Sequence, residues 1–514
     1  MGIILDYVIN ATAQYMEHMP KKQRKAYGQF FTSRETAQFM AGLFDVPADK
    51  SEIAILDPGA GSGILSAALV EQLQSVQVLQ KIHLTCYETD EKVIPLLRSN
   101  LEWICLKSVT PVEYKIISEN YILSQVLEYN HMIGAIPSPD KFDMVIGNPP
   151  YMKVSKDAPE AKSMPDICYG APNLYFLFAG MSLFNTKEYG ELVYIIPRSW
   201  TSGAYFKSFR QKFLCEGTLE HIHLFGSRDK VFDRESVLQE TMIIKMKKTH
   251  DKPKTIAITT TQSNVDFSNI ITFEAPYNIV VSGEDSYVFL VTNEREVRTL
   301  ELLNNWKHTL PGIGLKMKTG LTVDFRNREA LRNEQEAQAV PLFYSQHIQN
   351  GKVLFPIGKE NEYIVTEQSG LLQENVNYLF VKRFTAKEEH RRLQCGVYLA
   401  NKHPEYQKIS TQNKINFIGG SRELSECIVY GLYVLFNSTL YDCYYRILNG
   451  STQVNSTEIN TMPVPPLATI EAMGKELIRC HDTSETTCDN IVRSFIYAED
   501  RGSEDNPERI ASAS

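Results

Sequence analysis

The chain has 514 residues, 43% of them hydrophobic and 22% charged, and a formal net charge of −8. That length exceeds one ordinary core, so two or more domains are expected, and no apolar run reaches the roughly 18 residues of a membrane span. The nine cysteines have no C-x-x-C spacing, which argues for reduced thiols and against a structural zinc site, so no metal is expected. The N-terminus has neither a basic signal region nor a myristoylation pattern, and a cytoplasmic address with no membrane contact is expected. An acidic balance does not exclude a nucleic-acid partner, because binding needs only a local basic face.

Residues 1–50 begin with helical spacing at Ile4, Tyr7, Val8, Ala11 and Tyr15, followed by the basic run 21–25 and Tyr27-Gly28-Gln29-Phe30-Phe31-Thr32. From 53 the texture becomes α/β: 53–56 reads as a buried strand, then a glycine-rich turn, then a helix to about Leu73. Further strands are predicted at 82–87, 142–146, 192–196 and 242–246. His221 and His223 are read as strand side chains on alternate faces, not as metal ligands. Strands alternating with helices predict an α/β fold with a mainly parallel, doubly wound sheet over 51–250. Beyond 250 the segments turn short, aromatic and polar, which predicts a second, mixed α+β domain over 251–495 and a frayed tail over 496–514.

The turn Asp57-Pro58-Gly59-Ala60-Gly61-Ser62-Gly63 lets backbone approach a ligand closely. It lacks the Gly-Lys-Ser/Thr ending of a phosphate loop, and its last glycine is out of register for a dinucleotide fingerprint. Asp57, before the turn, can take the amino group of a methionine moiety. Glu88 ends the next strand, where a carboxylate accepts ribose hydroxyls. Together they predict a nucleoside-type ligand.

Residues 142–146 deliver Asn148-Pro149-Pro150-Tyr151 to the carboxyl edge of the sheet, where α/β enzymes place their chemistry. The prolines stiffen the backbone. The Asn148 side-chain oxygen and the Pro149 carbonyl then stand as fixed acceptors for a planar, conjugated amine, and Tyr151 offers a stacking face. Accepting from both N–H groups of such an amine draws its nitrogen toward tetrahedral geometry as it attacks an electrophilic methyl.

The order Tyr27–Thr32, Asp57–Gly63, Glu88, Asn148–Tyr151 resembles the gamma-class amino-methyltransferases of type II restriction–modification systems. Residues 382–392 and 449–458 are similar to segments of the PstI/BsuBI-type modification methylases. The resemblance implies a Rossmann-like catalytic domain followed by a target-recognition domain. It implies S-adenosylmethionine as cofactor, and N6 of a flipped-out adenine in double-stranded DNA as substrate. It also implies a separate cognate restriction endonuclease, with the chain itself a monomer or else a dimer.

By position it implies that Phe31 and Thr32 touch the cofactor's methionine end. Asn120, where the family usually has Asp, would bind the cofactor's adenine amine, and Tyr121 would stack on that ring. Gly59, Gly61 and Gly63 would cradle the cofactor, and Phe232 would stack on the target base opposite Tyr151. The basic segment supplies Lys382, Arg383, Lys387 and Arg391 as DNA contacts, and Gln453 is a further candidate; helical ion pairs at i, i+4 are the plainer reading of that segment. The rivals are a glutamine-N5 protein methyltransferase, which would be shorter, and an inactive DNA-binding subunit of the same fold.

Overall fold

In a computed structural model, which describes residues 2–18, 31–45, 49–131, 141–226, 241–264, 267–386, 389–449 and 452–504, the apolar run at 53–56 forms β1 (Glu52–Asp57). It pairs in parallel with β2 (Lys81–Tyr87) on one side and β4 (Phe142–Gly147) on the other. β3 (Val112–Ile117) lies beyond β2 and β5 (Thr186–Pro197) beyond β4, again in parallel. Every residue of β4 is buried, as expected of a central strand covered on both faces. The chain thus runs outward through β1, β2 and β3, then restarts on the other side of β1 with β4. That reversal opens a crevice at the carboxyl ends of β1 and β4, where ligands of such sheets bind.

Beyond β5 the sheet continues through β7 (Thr241–Lys247), β6 (Thr218–Phe225), β8 (Thr255–Thr261) and β9 (Ile271–Pro276), giving nine strands among the described residues. β7 is antiparallel to both neighbours, and β6 and β8 are parallel. Contacts divide the chain into two units, Met1–Asn293 and Glu294–Ser514. Residues 255–276, which the sequence alone assigns to the second domain, instead add two strands to the first sheet, because Ile256 and Ile258 alternate inward. His221 and His223 share one face of β6, not the alternate faces expected from sequence, because side chains two apart on a strand point the same way. Both rings pack on Phe39, and both bond the Thr259 hydroxyl, at 2.8 and 2.9 Å.

Helix α1 (Ile3–His18) packs on α2 (Arg34–Gly42), α3 (Ile64–Leu73) and α4 (Ile94–Lys107). Glu71 of α3 accepts from the N–H groups of Gly2 and Ile4 at 3.1 and 3.0 Å, which satisfies donors at the start of α1.

The second unit is α+β, with a six-stranded and a five-stranded sheet. Phe343, Phe380, Tyr398, Ile415 and Phe417 lie in its core. Helices Glu426–Phe436 and Leu467–Cys480 cross at two glycines: a Cβ at Gly431 would overlap the Ile470 carbonyl, and one at Gly474 that of Cys427. None of the described residues of the basic segment 382–392 is helical: Lys382 ends a strand, Tyr378–Lys382, and bends and a bridge at Phe384 follow, so helical i, i+4 spacing does not hold among them. Helix Glu485–Glu504 runs past residue 496, where the sequence suggests a tail. Among the described residues no helix is long and apolar enough to cross a membrane.

Candidate active site

The turn after β1 is built by backbone that needs glycine, with φ of +53° at Gly61 and +85° at Gly63. It is tied to the end of β2. Ala60 N–H donates to the Tyr87 carbonyl at 2.9 Å, and Gly61 N–H donates to Glu88 Oε2 at 2.9 Å. Glu88 Oε1 accepts from Asp90 N–H at 2.8 Å. Burial holds the Glu88 carboxyl above its ordinary range, and these backbone donors oppose the shift. Ser62 anchors the turn from below: Thr12 of α1 donates to its hydroxyl at 2.8 Å, and Asn100 of α4 to its carbonyl at 2.7 Å.

A cavity of about 610 Å³ opens over this turn, with Gly59, Gly61, Glu88, Asn120, Asn148 and Pro149 in its wall. Phe31, Tyr121, Leu174 and Phe178 make it largely apolar. A Cβ at Gly61 would stand 3.5 Å from the Phe31 ring, and one at Gly59 3.8 Å from that of Phe178. Asn120 caps helix α5 (Tyr121–Ser124), its Oδ1 accepting from Leu123 N–H at 3.2 Å while Nδ2 donates to Glu160 at 2.9 Å. Tyr121 is nearly buried, edge-on to Tyr87 at 4.9 Å, with its hydroxyl 3.2 Å from Ser182.

Asn148 reaches the same cavity from the end of β4. Gly147 before it has no room for a side chain, since a Cβ would lie 2.6 Å from the Tyr194 ring of β5. The Asn148 carboxamide is held at both ends: Nδ2 donates to Thr32 Oγ1 at 3.2 Å, and Oδ1 accepts from the Tyr151 hydroxyl at 2.9 Å. That hydroxyl also lies 3.0 Å from the Ile195 carbonyl.

Four residues singled out from sequence stand behind the wall, not in it: Thr32, Asp57, Gly63 and Tyr151. The stacking face expected of Tyr151 is largely covered, with only 9% of the residue exposed. Its ring sits edge-on to Tyr175 at 6.4 Å. Pro150 and the half-exposed Met152 line the cavity beside Asn148 instead.

Asp57 turns inward, its Oδ2 accepting from Ser66 at 2.8 Å. Burial, with the nearby Glu88 adding to it, pushes its carboxyl up to about 7 against an opposing bond from Ser66. A raised native pKa means that ionising Asp57 opposes folding. The penalty is absent below about pH 4 and complete above about pH 7, on the order of a few kcal/mol. Asp57→Asn is therefore expected to raise the melting temperature more at pH 8 than at pH 5. Equal gains at both pH values, measured by calorimetry, would rule that account out.

In the second unit, Lys382 bonds Gln394 at 2.9 Å. Arg383 donates to the Asn413 carbonyl at 2.9 Å, its guanidinium lying 5.5 Å from the centre of the half-exposed Phe384 ring. With the Gln453 amide turned to accept, Arg383 Nε and Nη2 reach its oxygen at 3.1 and 2.7 Å. Arg391 pairs with Glu485 at 2.6 Å, and its side chain is only 11% exposed. Arg392 is buried and bonds Thr385 at 3.1 Å. Phe232, Lys387 and residues 21–30 lie outside the described residues. The carboxylates of Asp45, Glu191 and Glu220 converge, yet Lys245 Nζ sits 2.9, 2.9 and 3.4 Å from them, so a cation of the chain already serves that cluster.

Sequence reasoning missed the Thr32–Asn148 bond, which joins residues 116 apart, and the walls given by Phe178 and Met152. Phe178 had one signal, the apolar run 174–179 directly after Asn173.

Residues 72–232 match a family described as the Eco57I restriction-modification methylase. The chain is similar to the type II methyltransferase M.PstI of Providencia stuartii, at 32% identity over 96% of this chain and 97% of that protein. It is also similar to the type II methyltransferase M.BsuBI of Bacillus subtilis, at 34% identity over 89% of this chain and 91% of that one. In fold it resembles the type IIL restriction-modification enzyme MmeI, solved in complex with DNA. There the TM-score is 0.54 at 13% identity, covering 96% of this chain and 74% of that one.

Proposed function

The chain belongs to the type II DNA methyltransferases of restriction–modification systems, and from that premise we propose that it methylates N6 of an adenine within a specific double-stranded DNA sequence, using S-adenosylmethionine. The observation that carries the reading is the Asn148 carboxamide, held at both ends in the wall of a cavity that the Gly59–Gly61 turn and Glu88 also line. The residues present fit the cofactor: a glycine cradle that any side chain would narrow, a half-buried carboxylate for a ribose diol, and aromatic walls for flat rings.

When bound, S-adenosylmethionine supplies a methyl group on an electrophilic sulfonium. The chain's own residues do the rest. Glu88 accepts from the ribose hydroxyls, Phe31 covers the glycine turn, and Asn120 and Tyr121 meet the adenine end. Asn148 Oδ1 and the Pro149 carbonyl accept from the two N–H groups of the target amine and stabilise the positive charge that develops on its nitrogen. No base need remove a proton before attack. An amine inside a duplex cannot reach such a cavity, so the target base must leave the helix, with Phe232 flanking it. The covered ring of Tyr151 suits it better to bonding Asn148 than to stacking. Lys382, Arg383, Lys387 and Gln453 are our DNA contacts in the second unit, without Arg391. Methylation of this kind protects a site from a cognate endonuclease carried on a separate chain.

The test is incubation with tritiated S-adenosylmethionine and genomic DNA, followed by nucleoside analysis. Label in N6-methyladenine is expected. Label in N4-methylcytosine, or in protein, would overturn the substrate assignment.

A further inference from the structure

We propose that Glu160, and not Asn120, accepts from the 6-amino group of the cofactor's adenine, with the Asn120 amide beside it as donor to the ring. This rests on the reading of the cavity as an S-adenosylmethionine site. The edge of an adenine carries a donor, the amine, next to an acceptor, the ring nitrogen N1. Its complement is an acceptor next to a donor. Glu160 and Asn120 form such a pair in the cavity wall.

The two bonds of Asn120 fix which end of its amide faces Glu160. Oδ1 accepts from Leu123 N–H at 3.2 Å, and Nδ2 donates to Glu160 Oε1 at 2.9 Å. A backbone N–H can only donate and a carboxylate can only accept. A reversed amide would therefore oppose donor to donor at one end and acceptor to acceptor at the other. Beside Glu160, then, Asn120 shows N–H. An amine arriving there is itself a donor, and the group that can take its proton is the carboxylate. Nδ2 has two protons and gives one to Glu160, which leaves the second for N1. Oδ1 keeps another lone pair, but it is neutral and turned to Leu123, whereas bonds to a carboxylate are about twice as strong as neutral ones.

Glu160 is also held in place. It is half-buried on the short helix Pro159–Ser163. Asn130 Nδ2 donates to the Ser163 carbonyl at 2.9 Å, and the Tyr129 hydroxyl donates to Asp166 at 2.9 Å. These bonds tie the segment carrying Glu160 to the one that follows Asn120. Glu119, next to Asn120 in the chain and in the same wall, is exposed.

The experiment titrates two compounds by calorimetry. One is S-adenosylhomocysteine; the other is S-inosylhomocysteine, in which a carbonyl replaces the amine and N1 carries a proton. That edge is reversed and opposes both Glu160 and Asn120. Wild type is expected to bind the adenosyl compound tighter by at least about tenfold. In Glu160→Gln the side chain can offer either end of an amide, so the preference should shrink to about threefold or less. Glu119→Gln should keep the wild-type preference. A general disturbance of the cavity would weaken both compounds alike and leave their ratio unchanged.

A Glu160→Gln protein with the wild-type preference overturns the proposal, as does a Glu119→Gln protein that loses it, or a wild type that binds both compounds equally. If wild type binds neither compound, the cofactor reading itself fails and takes this inference with it. Should Glu160→Gln give no cooperative melt, Glu160→Ala supplies the same contrast: affinity for the adenosyl compound falls by about tenfold while that for the inosyl compound does not.

Discussion

Asn148→Ala is expected to lower the rate of methyl transfer by at least about 10²–10³-fold, the usual effect of removing one oriented group that stabilises developing charge. Cofactor affinity should stay close to wild type. The substitution removes one of two acceptors for the amine and leaves the Pro149 carbonyl. The Tyr151 hydroxyl loses its bond to Oδ1 but keeps the Ile195 carbonyl at 3.0 Å. The glycine turn and Glu88 are anchored by β2 and by Thr12, not by Asn148, so the cofactor half of the site has no reason to collapse. Single-turnover rates and calorimetric titration of the same preparation separate the two effects. A variant with near-wild-type transfer would remove Asn148 from the chemistry.

The second large effect should be the mirror image. Glu88→Ala is expected to weaken cofactor binding by about 10²-fold or more, since bonds to a charged acceptor are each worth about 1.5–3 kcal/mol. Here the carboxylate does two things. It would accept from the ribose, and it already holds Gly61 N–H at 2.9 Å and Asp90 N–H at 2.8 Å, joining the glycine turn to the end of β2. Transfer at saturating cofactor should recover much of its rate, because Asn148 is positioned from β4 and Thr32. Unchanged affinity in a calorimetric titration would place the ribose elsewhere.

The frame of the site is legible in the sequence. Apolar runs mark β1, β2 and β4, and the glycine turn and Asn148 follow β1 and β4 directly, so the topology carries them to one crevice. The direction of each side chain at those strand ends is not legible there. Asp57 and Glu88 both close parallel strands, yet Asp57 is drawn inward by Ser66 while Glu88 faces the cavity. Local sequence does not contain that difference, because it depends on which helix lies beneath. The basic segment shows the same limit: the partner of Arg391 is Glu485, a carboxylate 94 positions later at 2.6 Å, which no local pattern announces. The last two strands of the first sheet escape notice because 255–276 is short and polar in texture, although Ile256 and Ile258 carry its inward face.

The crossing at Gly431 and Gly474 bears on how the second unit, read as a recognition domain, can diversify. Backbone meets backbone there, with carbonyl oxygens where any side chain would begin. Exposed residues around it can be exchanged one at a time, each change small in its effect on the fold. Positions 431 and 474 have no such intermediate steps, since even a methyl group separates the two helices. They form a fixed hub of the second unit, and recombination between relatives would have to inherit both glycines together.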